Sequence, residues 1–303
     1  MKNESFQTIA LKTLLDADGD RFSLHRDLDS TPSPELVNSV KRHGLLHPPI
    51  VMKTGDGYQV VCGRYRIQAL LTIKSHQDVL CRVIEPVDKE TFLSIILEDQ
   101  RLCGPLSAIM TARFVKLVDR LVPESAGDDI IKQCNIGPCG QVRRLLPLLT
   151  LEESIRQAIH HGSVSDRTGL ILCSMTPEDR IFFCDLFMAL GLNKNKQRQL
   201  VDMCRVLTVH TGKSIKNLFH EDFSEFLPKN LPANTPQAAA RLMRAVHEAS
   251  HPLSSEAEKH FHEQKKGLGL PANCSLSHSP AFEKDQVTLS IDFINIAEMN
   301  RVW

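Results

Sequence analysis

The run Val60-Val61-Cys62-Gly63-Arg64-Tyr65-Arg66 places a β-prone stretch, a glycine and two arginines in direct succession. If a strand ends at Cys62 and a helix begins at Gly63, the helix N-terminus presents backbone N–H groups and the positive end of the peptide dipole, which favour an anion. Arginine suits phosphate oxygens because its planar fork donates twice. The same residues also fit a tight strand-helix turn with solvated arginines, and the motif alone leaves both readings open. A second group, Glu98-Asp99-Gln100-Arg101, follows Phe92, Leu93, Ile96 and Leu97, which share one helical face. Its carboxylates can hold a hard cation through oxygen, or simply form the solvated end of an amphipathic helix. A third group lies between Asp129 and Leu146: a short helical run to Cys134, a Gly-Pro turn over Asn135-Ile136-Gly137-Pro138, and a second helical run from Gly140 carrying Gln141, Arg143 and Arg144. That is helix-turn-helix spacing. Gln can pair with adenine and Arg with guanine in a major groove, whereas an ordinary basic helix face would look the same.

The elements that must position these groups follow from local signals. Ser33-Pro34-Glu35 predicts a helix with Ser33 as N-cap and Pro34 as its first residue, with Leu36, Val37 and Val40 on one face and Gly44 as the stop. Pro49–Met52 and Tyr58–Cys62 predict a hairpin around the turn Thr54-Gly55-Asp56-Gly57. A helix after Gly63, a strand over Val79–Ile84 and a helix from Lys89 to about Gln100 complete a small mixed α/β domain. From Pro105 to about Phe219 the apolar spacing is helical and β-branched alternation disappears. Beyond Leu227 the spacing predicts helices over 236–250 and 254–266, and the alternation of Val287, Leu289, Ile291 and Phe293 predicts a half-buried strand over 286–293. The fold class is α+β, with domains at 1–104, 105–220 and 221–303.

Composition narrows the function classes. The chain has 303 residues, with 36 Lys+Arg against 36 Asp+Glu, so a coat that binds nucleic acid indiscriminately is not expected. The balance hides a gradient: residues 1–100 hold 12 basic and 14 acidic side chains, a net of −2, whereas residues 130–215 hold 11 and 7, a net of +4. Lys132, Arg167, Lys194, Lys196 and Arg198 are the expected phosphate neutralisers. No apolar run approaches the ~20 residues of a membrane span, and the polar N-terminus lacks the pattern of a secretory signal. Nine cysteines, without a C-x-x-C pair, read as free thiols of a reducing compartment. A cytoplasmic protein with no membrane partner is expected. His160-His161, His247, His251, His260 and His262 lack metal-site spacing, and aromatics at 5% give a single-strand stacking platform little to build on.

Taken in order, the motifs of residues 6–105 resemble the N-terminal domain of ParB-type partition proteins, a ParB/sulfiredoxin-like fold. Gly44-Leu45-Leu46-His47-Pro48-Pro49-Ile50-Val51 resembles that family's G-[IL]-[IL]-Q-P-[IL]-V box, with His47 where glutamine is usual. Gly63-Arg64-Tyr65-Arg66-Ile67-Gln68-Ala69 is similar to G-E-R-R-x-x-A, with Arg64 and Tyr65 as departures. Glu98-Asp99-Gln100-Arg101 resembles E-N-x-x-R, with Asp99 for the asparagine and the arginine one position early. Farther on, Leu145–Ile155 looks like the family's R-L-L-x-L-P-E-E-V run, and Gly162-Ser163-Val164-Ser165 like its G-x-[IL]-S.

The resemblance implies a domain that binds CTP with Mg²⁺. Gly44, His47, Pro48, Gly63, Arg64, Arg66 and Asp99 would line the nucleotide, Glu98 and Asp99 would hold the metal, and Glu98 would serve a weak hydrolysis. It further implies double-stranded DNA read by the helix-turn-helix through Gln141, Arg143 and Arg144, a homodimer, and a ParA-type partition ATPase as partner. The implied mechanism is a CTP-gated clamp. The alternatives are a transcriptional regulator of the same architecture, an adaptor that has lost nucleotide binding, and a sulfiredoxin-like or nuclease enzyme using Cys62. Sulfiredoxin-like motifs set their cysteine between Gly and His-Arg, however, whereas Cys62 precedes Gly63.

Overall fold

Local signals and long-range pairing agree closely over the first hundred residues. The computed structural model describes residues 4–16, 22–25, 28, 31–55, 57–73, 77–230, 234–279, 286–296, 299 and 300. It divides into two compact units, Met1–Met188 and Ala189–Trp303.

The first unit opens with strand β1 (Glu4–Ala10) and the short helix α1 (Leu11–Asp16), followed by helix α2 (Pro34–His43). The Ser33 side chain accepts from the Leu36 amide at 3.2 Å, and Gly44, at φ +70°, ends the helix. Strands β2 (Ile50–Thr54) and β3 (Gly57–Cys62) form the hairpin; Asp56 of its turn lies outside the described residues. Helix α3 (Arg64–Ile73), strand β4 (Asp78–Ile84) and helix α4 (Lys89–Cys103) follow. The sheet order is β1-β4-β2-β3, with β4 antiparallel to β1 and parallel to β2. Val79, Cys81 and Val83 of β4 point into a core with Val51, Val60, Ile67 and Leu70, while Leu80 faces outward, as period-2 alternation requires.

Six helices complete the unit: α5 (Ala108–Leu121), α6 (Glu124–Gln133), α7 (Cys139–Arg143), α8 (Glu153–His160), α9 (Asp166–Leu172) and α10 (Pro177–Leu190), whose last residues cross into the second unit. Helix α5 is the spine, burying Ile109, Phe114, Val115 and Val118 among others. Two expectations are corrected. The first helix of the helix-turn-helix begins at Glu124, five positions before Asp129, after Pro123 at its N-cap. The second ends at Arg143 instead of Leu146, and Leu146–Thr150 is a 3₁₀ turn. Pro147 is the cause: it has no N–H to donate to the Arg143 carbonyl, so an α-helix cannot run through it.

The second unit contains α11 (Lys194–Thr211), α12 (Ile215–Glu221), α13 (Thr235–Ser250), α14 (Pro252–Gly267) and a hairpin of β5 (Cys274–His278) and β6 (Val287–Ile291). Helix α11 runs from an Asn193 cap to Gly212 in the left-handed conformation, at φ +68°. The C-terminal strand forms, but it is not half-buried. Val287 and Leu289 are 56% and 51% exposed, and its partner β5 carried too few apolar residues to be seen in the sequence. Alternation reports pairing and a common face; it does not report what covers that face.

Candidate functional site

Strand β3 delivers Val60, Val61 and Cys62, all buried, to the turn at Gly63. Gly63 has φ +90°, and a Cβ on it would lie 3.0 Å from Pro49 Cα and 3.1 Å from Arg66 Nη1. Both backbone conformation and space therefore demand glycine. The Gly63 carbonyl accepts from the Arg66 and Ile67 amides at 3.0 and 3.2 Å, which starts α3 at once. Over this helix N-terminus lies a cavity of about 230 Å³, slightly below the ~300 Å³ lower end of small-ligand sites. Its apolar wall includes Phe22, Leu24, Leu36, Val60 and Ile96; its polar groups include His25, Arg64, Arg66, Asp99 and Gln100.

Inside the cavity Arg66 Nη2 lies 3.3 Å from Asp99 Oδ1, with the two side chains 20% and 13% exposed. The α3 arginine is thus neutralised from α4. Arg64 also lines the cavity, and burial pulls its guanidinium below the ordinary arginine range, only partly offset by Tyr65. A partly desolvated cation at a helix N-terminus gains most from an incoming anion. Tyr65 turns edge-on to His25 at 5.3 Å between ring centres, and His25 Nε2 pairs with Gln100 Oε1 at 2.6 Å. Cys62 lines the same wall, with its Sγ 3.8 Å from the Ile95 carbonyl.

The structure brings together Gly63, Arg64, Arg66 and Asp99, and it separates the other expected residues from them. Gly44 ends α2 by donating its N–H to the Val40 carbonyl. His47 is exposed and Pro48 half-buried, and neither lines the cavity; that box acts through Pro49, which packs on Gly63. Glu98 is 60% exposed and pairs with Arg101 at 2.7 Å, outside the cavity. Neighbouring residues on a helix point about 100° apart, so Asp99 faces the cavity and Glu98 does not. Arg101 turns the other way, donating to the Cys134 and Asn135 carbonyls at the end of α6. Among the described residues no three His, Cys, Asp or Glu side chains cluster as a metal site. Phe22, Leu24, His25 and Gln100 were not anticipated. The apolar spacing of Phe22, Leu24 and Leu28 was the available signal for a buried loop there.

The helix-turn-helix is held by Val142 of α7 on Val115 and Ile131, with Ile136, Cys139 and Leu146 at the edge. Gln141 and Arg144 are exposed. Arg143 is not: its Nη1 donates to Asp119 at 2.7 Å and its Nε to Asp128 at 2.9 Å, which together raise its pKa further. Lys132 makes an exposed pair with Asp129 on its own helix, at 3.2 Å. Arg167 is exposed in the first turn of α9. Lys194, Lys196 and Arg198 belong to the second unit, at the start of α11.

Residues 2–99 match the family model of the ParB N-terminal domain. The chain is 28% identical over 168 residues to the chromosome-partitioning protein Spo0J of Thermus thermophilus, covering 55% of this chain and 60% of that protein. It is 24% identical over 177 residues to the nucleoid occlusion protein of Shouchella clausii, covering 57% and 59%. The chain therefore spans about three fifths of the length of these two relatives. Among solved structures, the C-terminally truncated chromosome-partitioning protein ParB from Caulobacter crescentus, complexed to the centromeric parS site, matches at 16% identity and a TM-score of 0.32 over 63% of this chain and 96% of that one. Among the described residues no helix is long and apolar enough to cross a membrane. Residues 2–99 are thus similar to the ParB N-terminal domain, and the relatives matched over a longer stretch are chromosome-partitioning and nucleoid occlusion proteins.

Proposed function

We propose that this chain is a nucleotide-responsive DNA-binding protein of the partition type, in which CTP bound over the N-terminus of α3 gates a clamp on double-stranded DNA. The observation that carries this reading is the cavity in which the Gly63 turn, Arg64 and Arg66 converge. Its apolar wall would take the base and ribose, and its cationic end the phosphates. Among the described residues Asp99 is the cavity carboxylate suited to a magnesium ion brought in with the phosphates, since Mg²⁺ usually takes one or two carboxylates and keeps water and phosphate for the rest. The cation would neutralise phosphate charge beside Asp99. Glu98, the expected hydrolytic residue, would need α4 to turn before it could act there.

Gln141 and Arg144, exposed on α7, would face base edges, with Lys132 and Arg167 neutralising phosphates. Two copies would pair through the exposed apolar side chains of the C-terminal hairpin, and a ParA-type ATPase would act on the nucleoid-bound assembly. The Arg66–Asp99 pair favours one second reading, a DNA-binding regulator whose nucleotide cavity is satisfied from within. Equilibrium binding of CTP, ATP and GTP with Mg²⁺, with and without DNA from the neighbourhood of the protein's own gene, separates them. Selective CTP binding strengthened by DNA supports the clamp; no binding of any nucleotide supports the regulator.

A further inference from the structure

We infer that Arg143 is a positioning residue that locks the recognition helix in place, and that sequence reading falls to Gln141 and Arg144. The inference rests on the DNA-binding reading above, but the strut itself can be tested without DNA. Three observations carry it. Arg143 spans three helices: from α7 it reaches Asp119 on α5 and Asp128 on α6, with Nη2 also 2.8 Å from Asp128, and its side chain is only 22% exposed. Both ends of α7 are fastened to the same residue, because Cys139 Sγ, at its start, donates to the Asp128 carbonyl at 3.4 Å. Gly127 lets α6 pack closely on α5 beside the guanidinium, since a Cβ there would crowd Val118 Cγ1 at 3.2 Å and only touch Arg143 Nη2, at 3.5 Å.

The strut answers a local weakness. Helix α7 has five residues, buries only Val142, and is cut off by Pro147 three residues after Arg144. A helix that short has almost no stability of its own, so its orientation must come from outside contacts. Turning Arg143 toward a base would also leave two carboxylates, Asp119 and Asp128, without their cation beside DNA phosphates, which is unfavourable twice over.

The two roles make opposite predictions for Asp128→Asn in the full chain. Removing a carboxylate near DNA tightens binding if Arg143 is a reader, since the arginine is freed and repulsion falls. If Arg143 is a strut, specific binding weakens about 5- to 30-fold, while the salt slope stays as in the parent protein because no phosphate contact is lost. Arg143→Gln should behave the same way, whereas Lys132→Ala or Arg167→Ala should flatten the slope by about one unit. Hydrogen exchange of amides 139–146 in the free protein is the independent readout. Asp128→Asn should speed it at least tenfold, and unchanged exchange, or tighter specific binding, overturns the inference. If the parent protein binds no DNA, the DNA reading fails while exchange still decides the strut.

Discussion

Asp99→Asn is the most informative single change in the cavity, because its effect on nucleotide binding should reverse with Mg²⁺. At 3.3 Å and an effective dielectric constant of about 20, the Arg66–Asp99 attraction is about 5 kcal/mol gross. Desolvation of both partners opposes most of it, leaving about 1–2 kcal/mol net for a pair this enclosed. A phosphate must compete for the same guanidinium and approach the Asp99 carboxylate as it does so. In EDTA, then, Asp99→Asn should tighten CTP binding about 5- to 30-fold. With Mg²⁺ the carboxylate is wanted by the cation, so the same substitution should abolish or reverse the gain. Isothermal titration of the full chain with CTP, in EDTA and in Mg²⁺, reads both arms. Weaker binding of the variant in EDTA would refute the reasoning, because it would mean that Asp99 does not hold Arg66 away from the ligand.

Gly63→Ala should lower stability by about 2–3 kcal/mol, because alanine at φ +90° is strained and its Cβ meets Pro49; a melting-temperature drop of roughly 5–10 °C, with loss of nucleotide binding, is the expected result. Asp88 caps α4 by accepting from Thr91 N at 2.8 Å, and these hydrogen bonds hold its carboxyl below the usual aspartate range. A depressed folded pKa gives stability that is present above the ordinary value of ~3.9 and is lost as pH falls through the folded pKa. Asp88→Asn should therefore flatten the acid limb of a pH–stability curve below about pH 4, and an unaltered limb would argue against the cap. Leu289→Lys, on the exposed face of β6, or a chain ending at Asn230, should convert a dimer to a monomer in size-exclusion light scattering; an unchanged oligomeric state would sink pairing through the hairpin.

What could be read from the sequence, and what could not, divides by the range of the forces. Ser33, Pro34 and Gly44 mark α2 because capping and left-handed turns are decided within four residues. Gly63 and Arg66 were legible for the same reason: a turn and the first helical residues make their own geometry. The Arg66–Asp99 pair spans 33 positions, and only the packing of α4 beside β3 puts Asp99, not Glu98, in the cavity. His25 and Gln100 meet across 75 positions, a pairing that no local signal encodes. Arg143 shows the same limit more sharply. Its type and place on α7 suit base reading, yet Asp119 and Asp128, 24 and 15 positions away, claim it first. Pro147, a helix breaker legible from the sequence alone, sets the end of α7.

Whether the Gly63–Arg66 turn binds a nucleotide is decided by titration of radiolabelled CTP against the full chain and its Arg66→Ala variant, in Mg²⁺. The expected result is saturable CTP binding by the parent protein, displaced poorly by ATP or GTP, with at least a tenfold loss in Arg66→Ala. Equal binding by both proteins, or none by either, would contradict it.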